Sequence, residues 1–65
     1  MKYRLEIWKY QCLTDAYEND NIDKVLIWYL KNWKYEYDNG YCAFDLYENG
    51  RRLDYNKCNE LGFFD

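Results

Sequence analysis

The sequence predicts a small α+β domain, in which an antiparallel sheet packs on one helix and a short helix follows near the C-terminus. Three features of the 65-residue chain support this prediction. Polarity alternates over residues 1–8, apolar side chains have helical spacing over residues 22–33, and Asn-Gly pairs stand at 39–40 and 49–50. A chain of this length forms one domain, residues 1–65, and buries only about 60% of its unfolded surface.

The N-terminal segment, residues 1–8, is predicted to be a half-buried strand. Tyr3, Leu5 and Ile7 fall on one face, and the other face carries charged side chains, Lys2, Arg4 and Glu6. An alternation with a period of two is typical of a strand that buries one face.

Residues 12–17 are compatible with a second strand that returns beside the first. Leu13 and Tyr17 would then point to the core. The intervening turn, residues 9–11, contains neither Gly nor an Asn-Gly pair. The sequence therefore leaves open whether this N-terminal hairpin forms.

Residues 22–33 have the spacing of an amphipathic helix, and Asp20 or Asn21 is a suitable N-cap. At about 100° per residue, one stripe of apolar side chains forms the predicted core face. Its members are Ile22, Leu26, Tyr29, Leu30 and Trp33, with Val25 at the edge. Trp28 falls nearly opposite this stripe, between two lysines, and is predicted to be exposed.

Each Asn-Gly pair is typical of a two-residue hairpin loop, which needs positive φ at both positions. Together the two loops predict a three-stranded meander after the helix. Its apolar pairs are Tyr37 with Cys42, Tyr35 with Phe44, Trp33 with Leu46, and Leu46 with Leu53. In the second hairpin Glu48 falls opposite Arg51. The two hairpins agree on one register, with the apolar side chains on one face.

The segment 54–61 favours a short helix, and a continued strand is the alternative. Asp54 is a suitable N-cap, and Gly62 suits the position just after the end of a helix. The residues predicted to face the core are Tyr55, Cys58 and Leu61, followed by Phe63.

The composition argues against catalysis and against a bound metal or cofactor. The chain has no His, the commonest proton carrier near neutral pH and the commonest metal ligand. The three cysteines, Cys12, Cys42 and Cys58, show no CxxC spacing, and an odd number fits reduced, buried thiols. The longest apolar run, residues 25–30, is far shorter than the roughly 20 residues of a membrane span. We therefore expect a soluble, cytoplasmic protein that is not an enzyme.

Aromatic residues make up 23% of the chain, more than such a small interior can bury. Exposed Tyr and Trp among charged residues are typical of protein interfaces. The net charge of −3 opposes direct binding to nucleic acid or to a membrane and favours a basic protein partner. The predicted contact residues are Trp8, Tyr10 and Trp28, together with Glu36, Asp38, Tyr41, Asp45 and Tyr47 on the outer face of the meander.

Four segments, KYRLEIW, DNIDKVLIWYLKNW, YENGRRL and ELGFFD, together resemble a class of very small early or accessory proteins of phages and prophages of low-GC Gram-positive bacteria. The resemblance covers most of the chain and rests on size, aromatic content and element order. It implies an inhibitor of a host enzyme or of a defence system, such as a CRISPR–Cas nuclease, in the host cytoplasm. On this hypothesis, acidic and aromatic side chains occupy a basic nucleic-acid-binding surface of a protein. The alternative is a structural module that forms a homodimer through its aromatic patch.

Overall fold

The computed structural model describes residues 2–64, in which a four-stranded antiparallel sheet packs against three short helices. The elements are β1 (Tyr3–Lys9), β2 (Cys12–Asn19), α1 (Ile22–Asn32), α2 (Lys34–Asp38), β3 (Ala43–Glu48), β4 (Arg51–Arg52) and α3 (Tyr55–Glu60). The strand order is β2-β1-β3-β4, so the N-terminal strand lies inside the sheet. The predicted α+β class is confirmed. Met1, the first residue of the predicted strand, lies outside the described residues.

The core fills the space between one face of the sheet and the helices. Its buried residues are Leu5, Ile7, Val25, Tyr29, Phe44, Leu46, Cys58 and Phe63. The sheet contributes two cross-strand pairs, because Leu5 lies opposite Leu46 and Ile7 lies opposite Phe44. Helices α1 and α3 supply buried residues to this cluster, and Tyr37 of α2 packs against it, so all three described helices cover the same face of the sheet.

The N-terminal hairpin, which the sequence left open, is present. Tyr10 and Gln11 form its two-residue loop, and both have positive φ, 52° and 65°. These values are those of a primed turn, which matches the twist of the flanking strands even without Gly.

A β-bulge in this hairpin changes the direction of one predicted core residue. The register between β1 and β2 shifts after Ile7, so that Trp8 pairs with Leu13 and Thr14 is an extra residue. Since side chains alternate along a strand, the extra residue turns Leu13 to the outer face, where it is 47% exposed. The prediction that Leu13 points inward is wrong, whereas Tyr17, on the other side of the bulge, packs against the core.

Helix α1 begins as predicted, with the side chain of Asn21 accepting a hydrogen bond from the backbone N–H of Asp23 at 2.9 Å. Its buried face is centred on Val25 and Tyr29. The prediction that Leu30 faces the core is wrong, because its side chain is exposed, whereas Val25, predicted at the edge of the stripe, is fully buried.

Trp28 is half-buried on the opposite flank of α1, so the prediction that it is exposed is wrong. Its ring stacks on Tyr17 of β2, with the ring centroids 5.1 Å apart and the planes 10° from parallel. The helical spacing placed Trp28 off the core stripe, but the second strand extends far enough to cover this flank.

We expect Trp28→Ala to lower the free energy of unfolding by about 1–2 kcal/mol, because it removes a stacked pair and half-buried apolar area. The matched control is Ile27→Ala, which truncates the exposed neighbouring side chain and should change stability by less than about 0.5 kcal/mol. Chemical denaturation of both variants measures the difference. Equal, small losses would show that the Tyr17–Trp28 stack contributes nothing.

The strand predicted before the first Asn-Gly pair is wrong, because these residues form α2, Lys34–Asp38. The first Asn-Gly pair ends the helix instead of turning a hairpin: Asn39 has φ −92°, while Gly40 has φ +78°. A primed hairpin loop needs positive φ at both positions. The apolar pairs predicted for the first hairpin, including Tyr35 with Phe44, therefore do not form, and β3 pairs with β1.

Backbone hydrogen bonds at the end of α2 identify a Schellman motif. The N–H of Gly40 donates to the carbonyl of Tyr37 at 3.0 Å, and the N–H of Tyr41 donates to the carbonyl of Glu36 at 2.9 Å. Such a motif satisfies the last carbonyls of a helix and commonly places Gly after the C-cap. An Asn-Gly pair can thus form either a hairpin loop or the end of a helix, and here it ends a helix.

The second Asn-Gly pair forms the predicted hairpin. Asn49 and Gly50 both have positive φ, 51° and 82°, and Glu48 lies opposite Arg51. Further along, the N–H of Leu53 donates to the carbonyl of Leu46 at 2.8 Å, which confirms the predicted register.

Helix α3 forms where the sequence favoured it, and the carboxylate of Asp54 accepts a hydrogen bond from the N–H of Lys57 at 2.9 Å. Cys58 and Phe63 are buried, and Leu61 packs on the core as predicted. Tyr55 is exposed, so its predicted place on the core face is wrong.

The three thiols are free, as expected, but they do not share one environment. Cys58 is buried, Cys42 is half-buried, and Cys12 is exposed at the start of β2, where the prediction of a buried thiol is wrong. Burial raises the pKa of both Cys42 and Cys58. These two thiols are therefore protonated at neutral pH and are weak nucleophiles.

Tyr29 places a hydroxyl group in the core. Its side chain is fully buried, and its Oη has no hydrogen-bond partner among residues 2–64. Burial, followed by the nearby carboxylate of Asp38, raises the pKa of Tyr29. A raised pKa in the folded state gives stability that is complete below the unfolded value of about 10 and is lost as the pH rises above it.

We expect Tyr29→Phe to raise the free energy of unfolding by about 1 kcal/mol at neutral pH, because it removes a buried hydroxyl without a protein partner. The variant should also lose less stability than the wild type between neutral pH and pH values above about 10. Melting temperatures measured across this range test both effects. A variant less stable than the wild type at neutral pH would contradict them.

Candidate protein-binding surface

The face of the sheet opposite the helices, here called the outer face, has no helix on it within residues 2–64. The strand register arranges its side chains in three rows across the sheet. The rows are Leu13, Trp8 and Ala43; then Ala16, Glu6 and Asp45; then Glu18, Arg4, Tyr47 and Arg52. The first row is apolar, the second is acidic, and the third is mixed.

The centre of the outer face holds two carboxylates directly across from each other, Glu6 on β1 and Asp45 on β3. Like charges in this position destabilise a sheet. Arg4 Nε donates to Glu6 Oε2 at 2.9 Å, and Arg52 lies 3.5 Å from Asp45 Oδ1. Arg4 also contacts Glu18, at 2.7 Å. Both arginines stand on the same side of the acid pair, so its other side meets only the apolar row.

Two aromatic rings flank the acid pair diagonally. Trp8 follows Glu6 by two positions on β1, and Tyr47 follows Asp45 by two positions on the antiparallel β3. Both rings are half-buried. Partial burial, then the carboxylates of Glu6 and Asp45, raises the pKa of Tyr47, which is therefore neutral at physiological pH.

This arrangement suits a Lys or Arg side chain of another protein. A cation placed between Glu6 and Asp45 would contact two carboxylates and could lie against Trp8 or Tyr47. It would also relieve the repulsion between the two acids.

Of the predicted contact residues, the structure brings Trp8, Asp45 and Tyr47 together on the outer face. Tyr10 and Tyr41 lie beyond its apolar row, where they are 94% and 62% exposed. With Trp8 they line a shallow hollow at this end of the sheet.

The other predicted contact residues lie elsewhere. Glu36 and Asp38 belong to α2, so their predicted place on the outer face of a sheet is wrong, and Asp38 pairs with Lys34 at 2.9 Å. Trp28 lies beside β2 on the helical side of the molecule.

Glu6 was not among the predicted contact residues, although the alternation of β1 placed it on the polar face. Glu6 matters because it lies directly opposite Asp45, and only the pairing of β1 with β3 brings the two residues together. Hairpin patterns indicate contacts between neighbouring strands in the sequence, and this pairing joins strands that are far apart in it.

The chain matches no known protein family, no curated protein sequence and no solved structure at a significant level. Among residues 2–64, no group of three or more His, Cys, Asp or Glu side chains is placed to hold a metal ion. No helix within the same residues has the length and apolar character needed to cross a bilayer.

Proposed function

We propose that this protein is a binding protein without enzymatic activity, and that its outer face docks on a basic surface of a partner protein. The observation that supports this proposal is the Glu6–Asp45 pair between Trp8 and Tyr47 on an uncovered face. The repulsion between two like charges lowers the stability of the free protein. A partner cation that relieves this repulsion gains affinity from it.

The partner we propose is a nucleic-acid-binding enzyme, whose basic groove would be blocked sterically and electrostatically in the cytoplasm. The resemblance to small phage proteins supports the inhibition of a host or defence enzyme, for example a CRISPR–Cas nuclease. Arg4 and Arg52 neutralise part of the outer face, so affinity would come from local fit around the acid pair more than from long-range attraction.

The decisive variant is Asp45→Asn, which keeps the shape of the side chain and removes one charge of the pair. It should leave stability unchanged or raise it by up to about 0.5 kcal/mol, since the exposed Arg52 contact contributes little. Binding to the partner should weaken more than about tenfold. The matched control is Asp38→Asn, which makes the same change on α2 and should leave binding intact.

The partner is first captured with immobilised wild-type protein from a nuclease-treated lysate of the encoding organism or its host. Calorimetry with the purified partner then gives the affinity of each variant. Loss of binding in Asp38→Asn but not in Asp45→Asn would move the interface from the sheet to α2. Failure of the wild type to capture any basic protein would refute the proposal.

The second candidate function is a homodimer formed through the apolar end of the outer face. The observation that favours it is the set of exposed apolar side chains around Trp8, namely Tyr10, Leu13 and Tyr41. Light scattering over a range of concentrations distinguishes the two functions, because only self-association raises the mass of the purified chain.

A further inference from the structure

The two edges of the sheet differ in how they are protected against pairing with another strand. At one edge, β4 has only two residues, Arg51 and Arg52, and both are exposed. A short, charged strand is a common protection. At the other edge, β2 runs for eight residues and contains no Pro, Lys or Arg. The protective features of this edge within residues 12–19 are its bulge at Thr14 and its two acids, Asp15 and Glu18.

Alternate backbone groups of β2 point away from β1, toward the open edge of the sheet. The N–H of Ala16 donates to the carboxylate of Asp15 at 2.8 Å, which shows that it faces away from β1. In an antiparallel ladder this direction alternates, so Glu18 also presents its N–H and carbonyl to the open edge. An incoming strand can replace the local bond at Ala16 with ladder bonds.

A groove between β2 and α1 runs beside this edge. It has a volume of about 270 Å³ and is lined by Tyr17, Lys24, Ile27, Trp28, Lys31 and Asn32. An edge strand with an aromatic groove next to it is the arrangement used in β-strand addition, where backbone bonds give affinity and the groove takes alternate side chains. The Tyr17–Trp28 stack forms the apolar floor available to such a side chain.

The charge of this region selects the occupant. Residues 12–23 contain four acids, Asp15, Glu18, Asp20 and Asp23, and no base, whereas the two lysines that line the groove, Lys24 and Lys31, lie on α1. Glu18 is partly neutralised by Arg4. A second copy paired through β2 would bring two sets of these acids together, and like charges oppose such pairing. A strand that carries Lys or Arg complements the edge instead.

We propose that β2 accepts an extended, Lys- or Arg-bearing segment of a partner protein as a fifth strand, with an apolar side chain in the α1–β2 groove. Alternate residues of the added strand face opposite sides of the sheet. Its apolar residues face Trp28, and its basic residues lie on the outer side, next to Glu18. This inference concerns the edge and not the outer face, and it holds whether or not Asp45 contacts a partner.

The probe is the blocked peptide acetyl-Arg-Val-Arg-Leu-Arg-Val-Arg-amide, titrated into the labelled protein and followed by amide NMR. We expect shifts of the β2 and groove residues and slower hydrogen exchange at Ala16 and Glu18. Two further peptides carry N-methyl groups, one on the Val and Leu residues and the other on the internal Arg residues. The N–H groups of only one of these sets point toward β2. The peptide methylated on that set should therefore bind more than tenfold more weakly, while the other binds like the parent.

Ala16→Pro removes an edge-facing N–H and should lower the affinity for the parent peptide more than tenfold. The control Ala16→Val keeps this N–H and should bind the peptide with the affinity of the wild type. Asp45→Asn should bind the peptide like the wild type, which separates this test from that of the outer face. Three results would overturn the proposal: no binding of the parent peptide, equal binding of both N-methylated peptides, or dimerisation of the free chain through β2. If Ala16→Pro does not fold, the N-methylated pair decides alone.

Discussion

Phe44→Ala is expected to unfold most of the protein at room temperature. Phe44 lies at the centre of the core, with ring centroids 5.1 Å from Tyr29, 5.0 Å from Tyr37 and 5.6 Å from Phe63. Truncating a buried Phe costs about 3–5 kcal/mol, because the cavity adds to the lost transfer energy. A single core in so small a domain supplies only about 3–5 kcal/mol of net stability.

Urea denaturation followed by circular dichroism measures this effect. Phe44→Leu keeps most of the volume and should lose less than about 1.5 kcal/mol. Tyr35→Ala, which truncates a ring on α2 that is 74% exposed, should change stability by less than about 0.5 kcal/mol. A cooperative transition of Phe44→Ala at the wild-type midpoint would mean that the aromatic cluster is not the centre of the core.

The features predicted correctly from the sequence are local ones. The alternation in β1, the N-caps at Asn21 and Asp54 and the hairpin at Asn49 each depend on a few neighbouring residues. Turn and cap chemistry act over such distances, so a short window of sequence contains the information.

The strand pairing could not be predicted in the same way. Two identical Asn-Gly pairs form different structures, because the residues before Asn39 form a helical turn with a Lys34–Asp38 ion pair. In addition, β3 buries Phe44 and Leu46 against β1, which is a longer strand with two fully buried aliphatic residues. Local turn signals do not report such competition between distant strands.

The candidate surface depends on the same distant pairing. Glu6 and Asp45 were both recognisable as outward-facing residues, but only the contact between β1 and β3 makes them a pair. Glu36 and Asp38 were predicted on the same surface, but they lie on α2 and not on the sheet. The sequence therefore indicated that the surface is acidic and aromatic, but it did not identify all the residues that form it.

The two proposed contact surfaces should respond differently to salt. On the outer face, Arg4 and Arg52 already balance part of the acidic charge, and the aromatic rings supply apolar contact. The segment from β2 to the first turn of α1, residues 12–23, carries four acids and no base of its own, and Arg4 balances only one of them, Glu18. Screening weakens exposed charge pairs most, so peptide binding at the edge should fall more steeply with ionic strength than partner binding on the face.

The ends of α2 and α3 provide a matched pair of glycines. Gly40 and Gly62 both follow a C-cap with positive φ, +78° and +98°. At Gly62 an added Cβ would lie 3.3 Å from Leu26 Cδ2, whereas at Gly40 it would meet no atom within 4 Å. The same substitution therefore tests backbone strain alone at one position and strain with crowding of the core at the other.

Gly40→Ala is expected to lower the free energy of unfolding by about 1 kcal/mol, the cost of a left-handed conformation for a residue with Cβ. Gly62→Ala should lose about 2–3 kcal/mol, because Leu26 packs against the core and has to shift. In a Leu26→Ala background the crowding is absent, so the additional effect of Gly62→Ala should fall to that of Gly40→Ala. Denaturation midpoints of the single and double variants measure this coupling. Equal losses of stability at the two glycines in the wild-type background would show that the close packing of α1 against the turn after α3 does not contribute to stability.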